Sequence, residues 1–315
     1  VTYTYAPGLG EAAAAFPPAG LDDVSAARAR VEALAAGRAD STDWTGVVVE
    51  DRRVEGDGGT PVKVAIFRPT DSVEPVPTMV FFHGGGFVLG DERSNDPLLT
   101  MLVRELQMAI VSVDYRLAPE HPCPAALEDG RTVLRWCAAN AASERFDTGR
   151  LALGGQSAGA AIAAGVALAN RSNDPPLSFL FLGEPVLDPR LATPSMTAMD
   201  DTPVWRRRDA ELSWRYYLGD HTVDDLPPYA SPATCELVDH LPPTYITANE
   251  VDPLRDEAID FARRLLGQGV AVEFHLYRGA FHGSMSFEAP VSVRARADLI
   301  DELRRGLVDA GICGS

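Results

Sequence analysis

The sequence predicts an α/β fold: a mostly parallel sheet of about eight strands, helices on both faces and a helical cap. Three observations carry this expectation. Short, unbroken apolar runs recur from about residue 47, as strands covered on both faces require. Helical stretches alternate with them, the pattern of parallel strands joined by crossovers. Two segments, residues 1–46 and about 187–230, fall outside that rhythm.

Val47-Val48-Val49 and Val62-Lys63-Val64-Ala65-Ile66-Phe67 open the sheet, with Gly56-Asp57-Gly58-Gly59 as the turn between them. Met79-Val80-Phe81-Phe82, Ala109-Ile110-Val111-Ser112-Val113 and Leu151-Ala152-Leu153 follow, and residues 177–182, 244–247 and 270–277 bring the total to about eight. Helices are expected at 98–106, 125–142, 158–169, 255–266 and 292–307. Ahead of the sheet, an Ala-rich helix at 24–36 is apolar enough to need a packing partner. Residues 187–230 hold Met196, Met199, Trp205, Trp214, Tyr216 and Tyr217 without a strand signal. The chain therefore divides into an N-terminal cap segment, 1–46, and a sheet domain, 47–315, with a cap insertion at about 187–230. Both cap pieces are expected over the carboxyl ends of the strands, where open α/β sheets keep their sites. The plainer reading of the aromatics is a satellite core. No internal repeat or low-complexity linker is visible.

With 28 basic against 45 acidic residues the net charge is −17, which argues against nucleic acid and anionic membrane as partners. Solubility accounts for the acidity. Cys123, Cys137, Cys235 and Cys313 are scattered without a C-x-x-C pair, a usage that suits a reducing compartment better than a zinc site or a disulfide scaffold. The start, Val1-Thr2-Tyr3-Thr4-Tyr5, has no basic segment leading into an apolar core, and no apolar run approaches the roughly 20 residues of a membrane span. A cytoplasmic location is the expectation.

Two glycine-rich strings carry the chemistry. Gly155-Gln156-Ser157-Ala158-Gly159 follows a strand and opens a helix, the context of the nucleophile elbow of an α/β-hydrolase. Its glycines leave room for a strained turn that exposes the Ser157 hydroxyl, and the helix aims its first amides at the same spot. His83-Gly84-Gly85-Gly86 also follows a strand. Its backbone amides can approach a substrate oxygen without a Cβ in the way, and with the amide of Ala158 would form an oxyanion hole. The alternative for this string is a plain glycine turn, and His83 reads as part of the loop.

Of the other histidines, His275 lies inside a strand, His121 sits between Glu120 and Pro122, His221 falls in the cap insertion and His240 in a polar loop. His282 follows the last strand, in Gly279-Ala280-Phe281-His282-Gly283, and is the base that the order Ser…Asp/Glu…His requires. The acid must come from the segment after the penultimate strand, where Asp252, Glu250 and Asp256 compete. Asp252 precedes Pro253, so it also reads as an ordinary helix start.

Taken together, His83–Gly86, Tyr115-Arg116-Leu117-Ala118-Pro119-Glu120, Gly155–Gly159, Asp252-Pro253-Leu254-Arg255-Asp256-Glu257 and Phe281-His282-Gly283 resemble the hormone-sensitive-lipase family, the bacterial family IV carboxylesterases. The resemblance runs from about residue 45 to 310. It implies an α/β-hydrolase fold, with Ser157 as nucleophile, Asp252 as acid and His282 as base. The oxyanion hole is implied at Gly84, Gly85 and Gly86, the last two ahead of the first, with Ala158. Gln156 stands where many members carry Asp or Glu, and Ala160 replaces a common glycine. Gln156, Asp201-Thr202-Pro203 and the segment 213–219 are similar to the heroin-esterase branch, which implies small acyl groups, acetyl above all, on bulky alcohols or phenols.

The expected partner is thus a small-molecule ester, with no metal or organic cofactor, and a homodimer is a family-level expectation. An aryl-amide amidase or deacetylase could use the same triad. A non-catalytic ligand receptor on this fold is the reading from another class, and the presence of both Ser157 and His282 weighs against it. Phe87, Trp205, Trp214 and Phe281 are candidate pocket walls.

Overall fold

A computed structural model of the chain describes residues 3–39, 42–56, 60–72 and 74–308. Eight strands form one sheet: β1 (Val47–Val54), β2 (Val62–Pro69), β3 (Val76–Phe82), β4 (Ala109–Asp114), β5 (Phe146–Gln156), β6 (Phe179–Gly183), β7 (Thr244–Val251) and β8 (Val272–Phe281). Their order is β1-β2-β4-β3-β5-β6-β7-β8. β2 runs antiparallel to both neighbours and every other pairing is parallel, giving the α/β-hydrolase architecture expected from the sequence. Residues 57–59 of the proposed β1–β2 turn, and Cys313, lie outside the described residues.

The helices are α1 (Gly10–Ala15), α2 (Val24–Ala39), α3 (Asp96–Leu106), α4 (Ala125–Ala139), α5 (Ala141–Glu144), α6 (Ala158–Ala169), α7 (Pro194–Ala198), α8 (Arg207–Leu218), α9 (Arg255–Gly267) and α10 (Pro290–Leu303). Two expected bounds shift. The helix expected at 125–142 breaks at Asn140, and β8 runs on to Phe281, so only His282 and Gly283 of the expected loop string leave the strand.

The period of two along each central strand divides the core. Val64, Ile66, Val80 and Phe82 face one side, with residues of α4, α6 and α9. Ala65, Phe67, Met79 and Phe81 face the other, with residues of α3 and α10. Burial on both faces explains why these strands read as continuous apolar runs, and each large side chain so buried contributes about 1.5–3 kcal/mol.

Register brings the functional segments to one edge. Phe82 pairs with Gly155, Gln156 with Gly183, and Gly183 with Thr247. The segments after β3, β5, β6 and β7 therefore leave the sheet side by side. Helices from both expected cap segments are held near this edge by specific contacts. Arg28 on α2 donates to Val88 O at 2.9 Å and pairs with Glu120 at 2.7 Å, while Asp209 on α8 accepts from Gly20 N at 3.0 Å. The segment before α1 reaches the last strand: Ala6 N donates to Gly279 O at 2.9 Å. Gly279 has φ +69°, and a Cβ there would sit 2.5 Å from Ala6 N, so this approach requires glycine.

Candidate active site

Ser157 stands between the end of β5 and α6 with φ 55° and ψ −121°, outside the region an L-residue prefers. The turn is closed by Ser157 N donating to Gly183 O at 2.7 Å and Ala160 N to Ser157 O at 3.1 Å. Both flanking glycines are steric necessities. A Cβ on Gly155 would overlap the Gly159 carbonyl, and one on Gly159 would overlap the carbonyl oxygens of Phe82 and His83.

Ser157 Oγ lies 2.9 Å from His282 Nε2, and His282 Nδ1 lies 2.8 Å from Asp252 Oδ2. All three are buried, Asp252 to 1% exposure. The other oxygen of Asp252 accepts from Leu254 N at 2.9 Å, so the helix-start reading of Asp252 and the contact with His282 coexist. The competing acids are engaged elsewhere. Glu250 Oε2 accepts from Gly279 N at 2.7 Å, and Asp256 holds α7 by accepting from Ser195 N at 2.7 Å. Burial opposes a charge on His282, but the Asp252 carboxylate and its hydrogen bond, helped by Glu184, raise its pKa from 6.5 to about 9.

The loop after β3 faces this dyad. Gly85 (φ +118°) and Gly86 (φ +59°) leave no room for a side chain: a Cβ on Gly85 would overlap Leu89 O, and one on Gly86 would come within 2.6 Å of Trp205. The Gly84, Gly85 and Gly86 amides have no backbone acceptor among the described residues. Ala158 N opens α6, where the first N–H groups have no partner within the helix. The His83 ring is engaged within the loop. Its Nδ1 lies 2.7 Å from Gly84 O, its ring stacks on Tyr115 at 4.2 Å, and burial pushes its pKa down to about 4, so it is a neutral strut of the loop.

These groups open into a cavity of about 480 Å³. Gly84, Gly85, Gly86, Ser157 and His282 line it, with Phe16, Pro17 and Val31 of the N-terminal segment and Val204 and Trp205 of the insertion. Of the four candidate pocket walls, only Trp205 is among the lining residues. Its ring lies 5.8 Å from that of His282. Phe87 instead stacks on Tyr217 at 3.9 Å, and Trp214 packs on Phe87 at 5.4 Å, so both fill the space between the glycine loop and α8. Phe281 points to the opposite side from His282, as adjacent residues at a strand end do, and packs edge-on against Tyr5.

Two features were missed in the sequence. Asn95 donates to Gln156 Oε1 at 2.6 Å, and both side chains line the cavity. Glu184, just beyond β6, brings a second buried carboxylate to 3.3 Å from His282 Nδ1. A carboxylate ending the apolar run Phe179-Leu180-Phe181-Leu182 was the available signal. Glu184, Asp252 and His282 are close enough together to hold a metal ion, although both His282 nitrogens already have hydrogen-bond partners; Glu273, His275 and Glu302 form a second such group away from the site. No helix of the described residues is long and apolar enough to cross a membrane.

A family model described as the alpha/beta hydrolase fold matches residues 79–286, most of the chain. The chain belongs to the α/β-hydrolase family. Within it, the chain falls in the hormone-sensitive-lipase-like branch implied by the motifs. This α/β-hydrolase is 39% identical over 256 residues to carboxylesterase NlhH of Mycobacterium tuberculosis, covering 79% of each chain. It is 29% identical over 283 residues to an ethyl acetate hydrolase of Pseudomonas putida, covering 88% of this chain and 84% of that one. The structure of a bacterial heroin esterase superposes with a TM-score of 0.94 at 41% identity, covering 96% and 98% of the two chains.

Proposed function

We propose that Ser157, His282 and Asp252 are the catalytic triad of a serine carboxylesterase that hydrolyses short-chain acyl esters, acetyl esters above all. By family the chain is a carboxylic ester hydrolase. The observation that carries the triad is the continuous path Ser157 Oγ–His282–Asp252 opening into a cavity walled by the glycine loop. His282 Nε2 takes the Ser157 proton, Ser157 Oγ bonds to the ester carbonyl carbon, and Asp252 holds the ring in the tautomer that leaves Nε2 free. The amides of Gly85, Gly86 and Ala158, with Gly84 beside them, receive the developing oxyanion, each donor being worth about 2.7–4 kcal/mol. The alkoxide leaves with the proton from His282, and water releases the acyl group by the same route. Residues 15–34, with Val204 and Trp205 of the insertion, act as the cap that walls the cavity.

The small-acyl preference is supported by a cavity toward the lower part of the usual range of about 300–1,000 Å³ for small-molecule sites, and by the name of the ethyl acetate hydrolase relative. A series of p-nitrophenyl esters tests it. Acetate and butyrate are expected to give the highest kcat/KM, and an optimum at decanoate or longer would sink the preference. Labelling of Ser157 by an organophosphate, read by mass spectrometry, tests the nucleophile independently of substrate.

The charge on His282 gives a pH prediction. Only the neutral ring is a base, and the raised pKa keeps the free enzyme's ring protonated through neutrality. The kcat/KM of the free enzyme should therefore climb with pH with a midpoint near 9, rather than at the ordinary value of about 6.5. A plateau already complete at pH 7 would contradict it.

A further inference from the structure

We propose that Glu184 is a second positioning residue for His282, sharing the Nδ1 side of the ring with Asp252 and tying down the loop that carries it. This rests on the triad reading above. The two carboxylates reach the ring from different strands, Asp252 from beyond β7 and Glu184 from the end of β6. Asp252 Oδ2 is 2.8 Å from Nδ1 and Glu184 Oε2 is 3.3 Å from it. The same Glu184 oxygen accepts the N–H of Gly283 at 2.5 Å, so one atom faces both the ring and the residue after it.

Glu184 is itself held firmly. Its N–H donates to Thr247 O at 3.1 Å, and its backbone sits at φ 49°, where a side-chain-bearing residue is strained. It is 5% exposed, and no Lys or Arg among the described residues pairs with it or with Asp252. An unpaired buried carboxylate is costly. Glutamine could accept the Gly283 hydrogen bond without that cost, so the charge itself calls for a cation, and His282 is the cation within reach. The groups facing the pair are Asp252, Asn249, Thr247, Ser157 and the Trp205 ring. Burial raises the Glu184 pKa overall, and the imidazolium is the largest influence opposing it.

Three variants, Glu184→Gln, Asp252→Asn and their combination, form the test, with Glu184→Asp as a charge-keeping control. The His282 ring is titrated by nitrogen NMR alongside kcat and KM. In Glu184→Gln the His282 midpoint and the acid limb of kcat/KM should both fall by about one pH unit, and kcat by about tenfold. Glu184→Asp should recover part of the midpoint. In Asp252→Asn the midpoint should stay above about 6.5, because one carboxylate remains; this result stands even if no Glu184 variant folds. The double variant should lose more than the product of the single losses. An unmoved midpoint in Glu184→Gln, a change confined to KM, or an Asp252→Asn midpoint at or below the ordinary value would overturn the inference. Because the NMR midpoint needs no turnover, it separates failure here from failure of the triad reading, which an active Ser157→Ala would signal.

Discussion

Replacing Ser157 by alanine is expected to lower kcat for p-nitrophenyl acetate by about 10⁶-fold, the scale on which a serine–histidine–acid unit fails when its nucleophile is lost. The residue differs by one oxygen, so the φ of 55° costs alanine as much as serine, and thermal stability should stay near that of the parent. Binding should also persist. The Gly84–Gly86 loop, Trp205 and the N-terminal wall do not touch the lost atom's bond-forming role, so a slowly hydrolysed ester should still compete for the site. The informative measurement is a progress curve with titrated active sites. The parent should show one acyl group bound per chain under conditions where deacylation is slow, and the variant none. Turnover within tenfold of the parent would remove Ser157 from the mechanism.

Gly159→Ala is expected to be the most damaging substitution of a residue that contacts no substrate. Its Cβ would run into the carbonyl oxygens of Phe82 and His83, which are backbone atoms without a rotamer to retreat into. Either α6 lifts off the end of β3 or β3 yields, and overpacking of this kind costs about 1–3 kcal/mol, occasionally more. Both movements displace amides that face the cavity, since Ala158 opens α6 and Gly84 follows His83 directly. Activity should therefore fall by about 10²–10³-fold, the effect of a lost oxyanion donor, beyond the loss explained by unfolding. Measuring kcat on the folded fraction, with Tm determined in parallel, separates the two. A variant with normal kcat and only a lower Tm would refute the link between elbow and hole.

The sheet was legible because each central strand is buried on both faces and so appears as an unbroken apolar run. The glycine strings were legible because close backbone approach excludes every other residue. Asp252 could be separated from Glu250 and Asp256 only by resemblance, since all three fall within the short stretch from the end of β7 to the start of α9 and the distinction lies in which oxygen reaches His282. Glu184 left only a faint mark, a carboxylate just past an apolar strand. Its meaning depends on a ring far along the chain. The pocket aromatics failed for a related reason. Composition tells that Phe87, Trp214 and Phe281 are large and apolar, whereas the side of the backbone they occupy is set by strand parity and by the seat of α8. For Phe281 that parity could have been read from its neighbour, because His282 must face the serine.

The contact between Ala6 and Gly279 carries a consequence for biosynthesis. Part of the cavity wall is contributed by a segment synthesised more than 200 residues before the strand it is tied to, and before the histidine that follows that strand. Until residues near 280 emerge, the segment around Ala6 has no last strand to bond to, and the apolar surface of Phe16 and Val31 has no finished cavity to face. A nascent chain arrested before β8 should thus hold a nearly complete sheet and an unassembled entrance. Protease added to such stalled chains should cut first within residues 3–39, and that sensitivity should vanish once β8 is in place.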